Sequence, residues 1–218
     1  DNGSTDSSIR YIKSYFNDLF FINIESNIGY SSGYNYAFNK LKIDDSDWFL
    51  LLNNDTVLNS NTLQTFVDNM LFHKDQYIYG CKIKNIDGDK IWYAGGNINY
   101  FNSSAYHRGV NSKNINTTFK SGVTDFVSGC CMFVNKKLVY KINGFNERYN
   151  FYYEDVDLCL RAKKYNVKSF YISETFIYHH ISYSLGGRFT IMKIYRKLIS
   201  FIKFLFFNNN ILMFTYYL

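Results

Sequence analysis

The run Trp48-Phe49-Leu50-Leu51-Leu52-Asn53-Asn54-Asp55-Thr56 decides how the chain is read. Five apolar residues in a row, Trp48 to Leu52, are too few for a helix. They suit a strand covered on both faces, as strands of a parallel sheet are. The run stops abruptly at Asn53-Asn54-Asp55. In open α/β sheets, ligands sit beyond the carboxyl ends of the strands. A carboxylate there can hold a divalent cation, because hard cations prefer oxygen ligands. Asn-Asn-Asp-Thr is also a good turn and cap sequence, so these residues alone leave both readings open.

Working outward, Tyr34, Ala37, Phe38 and Leu41 fall at i, i+3, i+4 and i+7 and predict a helix. A turn-rich loop, Asn27-Ile28-Gly29-Tyr30-Ser31-Ser32-Gly33-Tyr34-Asn35, leads into it. Phe20 to Ile24 predicts a short strand. Ser7 is placed to cap a helix with Ile9, Ile12 and Phe16 at helical spacing. After Asp55, Ser60 or Asn61 caps a helix carrying Leu63, Phe66, Val67, Met70 and Leu71 on one face. This β-α-β-α order predicts a doubly wound α/β sheet. Residues 77–119 read as short strands and polar loops. Residues 125–134 read as a strand interrupted by Gly129, and Lys136 to Ile142 as a short helix. An aromatic loop from Phe145 to Tyr153 precedes a helix from Glu154 to Tyr165, with Val156, Cys159 and Leu160 facing inward. Val167 to Ile172 reads as a strand. Gly186-Gly187 closes a domain of residues 1–187, followed by a basic, aromatic helix and tail, 188–218.

Composition bounds the function. With 218 residues, 47% apolar and 19% charged, the chain suits one globular α/β domain. The net charge of +6 fits an anionic ligand or membrane surface. No five-residue basic run or nucleic-acid signature accompanies it, so nucleic acid is not an expected partner. Cys81, Cys130, Cys131 and Cys159 form no CxxC pair and read as four reduced, buried thiols. The apolar stretch from Leu198 to Leu218 is broken by Lys203 and Asn208-Asn209-Asn210, short of the roughly 20 continuous apolar residues of a membrane span. No signal peptide is visible, and a cytoplasmic protein is expected.

Two further stretches carry chemistry. Tyr152-Tyr153-Glu154-Asp155-Val156-Asp157 puts three acids at a helix start. Asp157 fits the plain reading, an i,i+4 pair with Arg161 beside the helix dipole. Glu154 and Asp155 follow an aromatic loop that could wall a sugar site, and a positioned carboxylate is what a general base for a hydroxyl nucleophile requires. Ile177-Tyr178-His179-His180, before Ser182-Tyr183-Ser184-Leu185-Gly186-Gly187, offers His179 either as a structural histidine or as a metal contact.

In order, Asp1-Asn2-Gly3-Ser4-Thr5-Asp6, Asn27-Ile28-Gly29 with Gly33 and Asn35, Leu52-Asn53-Asn54-Asp55, Gly129-Cys130-Cys131-Met132-Phe133, Gly144-Phe145-Asn146-Glu147 with Tyr152 to Cys159, and His179 with Ser184 resemble the successive motifs of family 2 glycosyltransferases. Their spacing is similar to the rhamnosyltransferase-like branch, over residues 1 to about 187. The resemblance implies a GT-A fold, a mixed Rossmann-like sheet, and an inverting transfer from a nucleotide sugar of the dTDP-rhamnose or UDP-hexose type. The acceptor is a glycan or lipid-linked hydroxyl in bacterial cell-surface polysaccharide synthesis. It implies that Asp1 contacts the nucleobase, and that Asn27 and Gly29 lie near the nucleotide. It also implies that Asn53, Asn54 and Asp55 form the diphosphate and metal motif for Mg²⁺ or Mn²⁺, with His179 as a second contact. Asp155 is then the general base and Glu154 its acceptor-binding neighbour.

Two residues depart from the pattern: Asn53 replaces the first Asp of the metal motif, and Asn146 stands where the family usually has Asp. The family's opening strand, helix and strand, about 30 residues by ordinary element lengths, would precede Asp1, and the expectation is a fragment lacking them. An inactive sugar-nucleotide or partner-binding module is therefore the alternative. A nucleotidyltransferase reading lacks a Gly-rich phosphate loop with a basic residue. In the tail, Arg188, Lys193, Arg196, Lys197 and Lys203 alternate with apolar residues. This helix either lies peripherally on the inner face of an anionic membrane or packs on the core.

Overall fold

The structure, a computed structural model, describes residues 1–41, 47–73, 77–87, 90–112, 119–180 and 191–216, without the side chains of 192, 193 and 209–216. Elements follow in the order α1 (Ser8–Tyr15), α2 (Tyr30–Lys40), β1 (Trp48–Leu52), β2 (Thr56–Leu58), α3 (Thr62–His73), β3 (Tyr77–Asn85), β4 (Ile91–Tyr93), β5 (Gly96–Asn99), β6 (Ser104–His107), β7 (Gly122–Thr124), β8 (Cys131–Asn135), α4 (Lys136–Lys141), α5 (Glu154–Lys163), β9 (Lys168–His179) and α6 (Ile191–Tyr216). The main sheet runs β1-β8-β3-β9-β2, with β4 beside β3 and β7 beside β9. β5 and β6 form a separate ribbon.

The sheet is mixed, and β3 with β9 is its parallel pair. The apolar run Trp48–Leu52 is a strand, but it is not an inner parallel one. β1 lies antiparallel to β8 at the end of the strand order. Burial alternates along it: Phe49 and Leu51 are buried, and Trp48, Leu50 and Leu52 are partly covered. Both faces still find apolar partners. Phe49 stacks on Phe38 of α2 at 5.0 Å, and Trp48 stacks on Phe133 at 4.7 Å. The continuous apolar run thus reflects two covered faces rather than two strand neighbours.

The amino-terminal readings are corrected most. α1 forms, but buries none of its residues. Ser7 makes no side-chain cap; the Asp6 carboxylate accepts the Ser8 N–H instead, at 3.0 Å. Phe20–Ile24 is not a strand beyond one parallel bridge, Ile24 to Asn2. Its only described strand-like neighbour is the short stretch at Asp1 and Asn2, and a ladder needs a longer edge. α2 starts at Tyr30, four residues before the periodicity suggests, because Gly29 at φ +93° serves as its cap. α3 buries Thr62 and Phe66, while Leu63 and Leu71 are 57% and 68% exposed, so its packed stripe is narrower than the apolar pattern.

The core centres on the elements from β3 onward, with Phe38, Phe49, Leu51 and Phe66 packed into it. Tyr79, Tyr93, Tyr149, Tyr171, Phe126 and Leu158 are fully buried. α5 turns Val156, Cys159 and Leu160 inward, as its spacing predicts. The four cysteines are free and buried. α6 packs on the core: Phe204 is fully buried against Tyr153 at 4.8 Å, and Ser200 donates to the Phe151 carbonyl at 2.6 Å. Burying a side chain such as Phe204 contributes about 1.5–3 kcal/mol. Among the described residues, no helix is long and apolar enough to cross a membrane. The Ser182–Gly187 motif and Arg188 lie outside the described residues.

Candidate active site

Antiparallel pairing of β2 with β9 sets Thr56 opposite His179. The His180 N–H donates to the Asp55 carbonyl at 2.9 Å. The turn Asn53–Asp55 is closed by the Thr56 hydroxyl, which donates to the Asn53 carbonyl at 2.7 Å. Two residues 124 apart in sequence are therefore side by side: His179 Nε2 lies 3.1 Å from Asp55 Oδ1. The contact is close but not aligned as a hydrogen bond, so Asp55 Oδ1 is buried without a hydrogen-bond partner among the described residues, as is the other ring nitrogen, His179 Nδ1. Burial holds the imidazole below its ordinary pKa, against the pull of Asp55. A neutral histidine beside an orphaned carboxylate oxygen is a fit for a cation. Among the described residues, no third His, Cys, Asp or Glu joins them, so the remaining ligands would come from phosphate oxygens and water, as is usual for Mg²⁺.

The second acid pair stands at the start of α5. Tyr152 and Tyr153 both adopt positive φ, +68° and +69°. Bulky residues there cost of order 1–3 kcal/mol each and cluster at functional turns. The kink turns the helix start toward the loop before β8. Asp155 Oδ2 accepts the Gly129 N–H at 2.9 Å, and Asp155 Oδ1 accepts the Val156 N–H at 2.8 Å. Desolvation raises the Asp155 pKa, and the two N–H groups partly offset this. Glu154 is raised further, by burial first and the neighbouring Asp155 charge second. Glu154 Oε2 is buried without a partner.

Gly129 joins these pieces. A Cβ on it would stand 2.7 Å from the Tyr30 hydroxyl, which donates to the Gly129 carbonyl at 2.8 Å. Next to it, Cys130 has its thiol pKa raised by burial, and the charges of Asp55 and Asp155 both add to the rise. The Cys130 carbonyl accepts the Asn53 N–H at 3.0 Å. The Asp55–His179 pair and the Glu154–Asp155 pair therefore flank the Gly129–Cys130 turn.

Asp1 and Asn27 come together at one rim, with Asn2 as the tie between them. The Asn2 amide donates to the Gly29 carbonyl at 2.9 Å, and its Oδ1 accepts the Ile28 N–H at 3.0 Å. Asn27 Oδ1 accepts the Gly29 N–H at 2.9 Å. Asp1 is exposed, and its carboxylate accepts the Ser4 N–H at 3.1 Å. Asn53 is half-buried and Asn54 exposed.

Sequence reasoning missed Asn2, Tyr30 and Trp92. Asn2 sits inside a quoted motif, and its turn-forming type was a usable signal. Trp92 packs edge-on against His179 at 5.1 Å and against His107 at 4.6 Å. Nothing local marks it, because both partners are distant in sequence. Asp157 follows the plain reading: it is 2% exposed and pairs with Arg161 at 2.6 Å.

The family model described as Glycosyl transferase family 2 matches residues 1–142. Rhamnosyltransferase WbbL of Escherichia coli K12 is 24% identical over 153 residues, 68% of this chain and 57% of that protein. N-acetylglucosaminyl-diphospho-decaprenol L-rhamnosyltransferase of Mycobacterium tuberculosis is 38% identical over 61 residues, 28% of this chain and 20% of that protein. The chain thus spans little more than half of the first relative and a fifth of the second. Among solved structures, GalNAc-T7 with UDP, GalNAc and Mn²⁺ superposes with a TM-score of 0.60 at 11% identity, covering 80% of this chain and 35% of that one. S. aureus TarS 1-349 in complex with UDP-GlcNAc gives 0.56 at 15% identity, covering 87% and 51%. The shared fold is GT-A.

Proposed function

The chain belongs to glycosyl transferase family 2, and from that premise we propose that it moves a sugar from a nucleotide-diphosphate donor to an acceptor hydroxyl with inversion. The donor is of the dTDP-rhamnose or UDP-hexose type. The acceptor is a glycan or lipid-linked saccharide of a cell-surface polysaccharide. The observation that carries this reading is the pair of acid sites on either side of Gly129–Cys130, one suited to a cation and one to a proton.

In this mechanism Asp155 takes the proton of the acceptor hydroxyl. Its desolvation raises the basicity of the ionised form, and the Gly129 N–H keeps it aimed. Glu154 has an unsatisfied buried oxygen that can receive an acceptor hydroxyl. The activated oxygen attacks the anomeric carbon opposite the leaving nucleoside diphosphate, and one displacement inverts the configuration. Asp55 and His179 would hold Mg²⁺ or Mn²⁺, which when bound offsets charge on the departing diphosphate. The Asn27–Gly29 loop and Asp1 would border the nucleoside end, with Asn53 and Asn54 near the diphosphate. The Mn²⁺ and UDP of the GalNAc-T7 structure and the UDP-GlcNAc of the TarS structure support this allocation.

Residues 1–187 carry the chemistry in this proposal, and 188–218 form an accessory helix and tail. The outer side of α6 supports peripheral attachment at the inner membrane face. Ile191, Ile194, Leu198, Ile202 and Phe206 are 88%, 62%, 53%, 47% and 82% exposed, an apolar stripe at helical spacing. The decisive experiment is a hydrolysis screen of the chain against UDP-, dTDP- and GDP-sugars with Mn²⁺. Slow, metal-dependent release of one nucleoside diphosphate, lost in Asp55→Ala and Asp155→Asn, is expected. Binding of a nucleotide sugar with no turnover would replace the enzyme reading with a binding module.

A further inference from the structure

A cleft of about 780 Å³ opens beside the Asn27–Tyr30 loop, and neither Asp55 nor His179 lines it. Its opposite wall is α6, which contributes Arg196, Ser200 and Lys203. Arg196 and Lys203 lie two helical turns apart, about 10 Å along the axis, and both line the cleft. Among the described residues no acid lines the cleft. Among the described residues neither cation pairs with a carboxylate. The Arg196 guanidinium lies 4.8 Å over the Phe151 ring, and Lys203 Nζ donates to the Arg148 carbonyl at 2.9 Å. These neutral partners position the two charges without cancelling them. A concave site with two cations and no anion concentrates negative ligands, and guanidinium and ammonium groups together suit phosphate oxygens.

The cleft is linked to Asp155 through Tyr30 and Gly129. Tyr30 lines it and donates to the carbonyl of Gly129, whose N–H is bound to Asp155. Burial raises the Tyr152 pKa and the Glu154 charge adds to the rise, while the Arg196 charge opposes it, so Arg196 and Glu154 both act on this one residue. The side-chain amides of Asn2 and Asn27 are engaged in holding their own loop, so the free charge of the cleft comes from α6.

We propose that this cleft is a phosphate-binding subsite for the acceptor: Arg196 and Lys203 hold the phosphate ester or diphosphate of the acceptor while its hydroxyl reaches Asp155. This rests on the transferase reading above, in which the donor diphosphate is held at Asp55 and His179, outside the cleft, and the donor nucleoside shares only the Asn27–Gly29 loop with it. α6 is then a substrate-binding wall on its inner face, whatever covers its outer face.

The test is a pair of titrations. Inorganic pyrophosphate, in the presence of EDTA, is titrated into the wild-type chain, Arg196→Gln/Lys203→Gln, Asp55→Asn, and Lys137→Gln as a surface-charge control. UDP and dTDP with Mn²⁺ are titrated into the same set. The double variant is expected to weaken pyrophosphate about tenfold or more, with the other two unchanged. Nucleoside diphosphate binding is expected to survive in the double variant and to be lost in Asp55→Asn. The charge-conserving Arg196→Lys/Lys203→Arg retains most of the pyrophosphate affinity if charge is the cause, which separates binding from a folding defect. Pyrophosphate binding that ignores the double variant, or that Lys137→Gln weakens equally, overturns the subsite. Equal weakening of both ligands overturns the acceptor assignment and gives the cleft to the donor. Hydrolysis in the donor screen with no pyrophosphate selectivity removes the subsite alone; selective pyrophosphate binding with no hydrolysis removes the transferase reading and the acceptor assignment with it, leaving an anion site.

Discussion

Asp155 and Asp157 stand on the same turn of α5, two residues apart, in opposite surroundings. Asp157 is fully spent: Arg161 Nε donates to it at 2.6 Å, and the other Arg161 nitrogens donate to the carbonyls of Ile142 at 2.6 Å and Gly144 at 2.8 Å. That network braces the loop after α4 against α5. Asp155 and Glu154 have only backbone N–H partners or an orphaned oxygen, and burial works against their charge. Residues two apart on a helix point about 200° apart, so one turn presents a satisfied face to the core and an unsatisfied one to the Gly129 loop. The contrast shows where the structure holds reactivity in reserve, since an acid that destabilises the fold needs another reason to be there.

The sharpest way to separate the two faces is Asp155→Asn. Nucleotide-sugar turnover is expected to fall by about 10²–10⁴, the worth of a general base, while the melting temperature holds. The surviving wild-type rate should fall as pH is lowered through the raised Asp155 pKa, because the base must be ionised. A flat pH profile would remove Asp155 from that role. Asp157→Ala should do the reverse: breaking a buried ion pair costs about 3–5 kcal/mol, visible as a lower urea midpoint, with turnover per folded molecule retained. If both variants behave alike, the division is wrong.

Asp55→Ala tests the other side of the Gly129–Cys130 turn. In the wild type, Mn²⁺ with UDP at 100 times the dissociation constant should stabilise the fold by about 2.7 kcal/mol, and the variant should lose that gain without losing the fold. The smallest effect is expected of Glu154→Gln. The folded Glu154 pKa is raised above the unfolded value, so its stabilising contribution is full below about pH 4.3 and is lost as pH rises through the folded value. At neutral pH the glutamine should therefore raise the melting temperature by about 2–4 °C, what ~1 kcal/mol is worth at this size. The gap should close in acid; a lower melting temperature at neutral pH would mean Glu154 is held by a partner.

What was legible in the sequence was chemistry carried by neighbours. Trp48–Leu52 announced a strand and Asp55 its end. Val156, Cys159 and Leu160 announced the inward face of α5, and the Asp157–Arg161 spacing announced its brace. All of these depend on residues within a few positions of one another. The pairings in the candidate site span the chain instead: Asp55 meets His179 through β2 and β9, and Asp155 meets Gly129 across 26 residues. Periodicity cannot report which strand lies beside which, so Trp48–Leu52, read as a strand covered on both faces as in a parallel sheet, proves antiparallel to β8 and last in the described strand order. The same blindness hid Trp92 behind His179.

The sequence by itself determined α4, α5 and the start of β9, the candidate acids and histidine, and the family to which they belong, whereas the run 125–134 is a strand only from Cys131 on. The tertiary structure decided which of those acids are satisfied and which are left wanting. It also decided which residues of the basic tail helix line the cleft beside the Asn27–Tyr30 loop. Propensity and spacing act over one or two turns of chain, whereas desolvation and orphaned oxygens exist only after distant segments have closed around them.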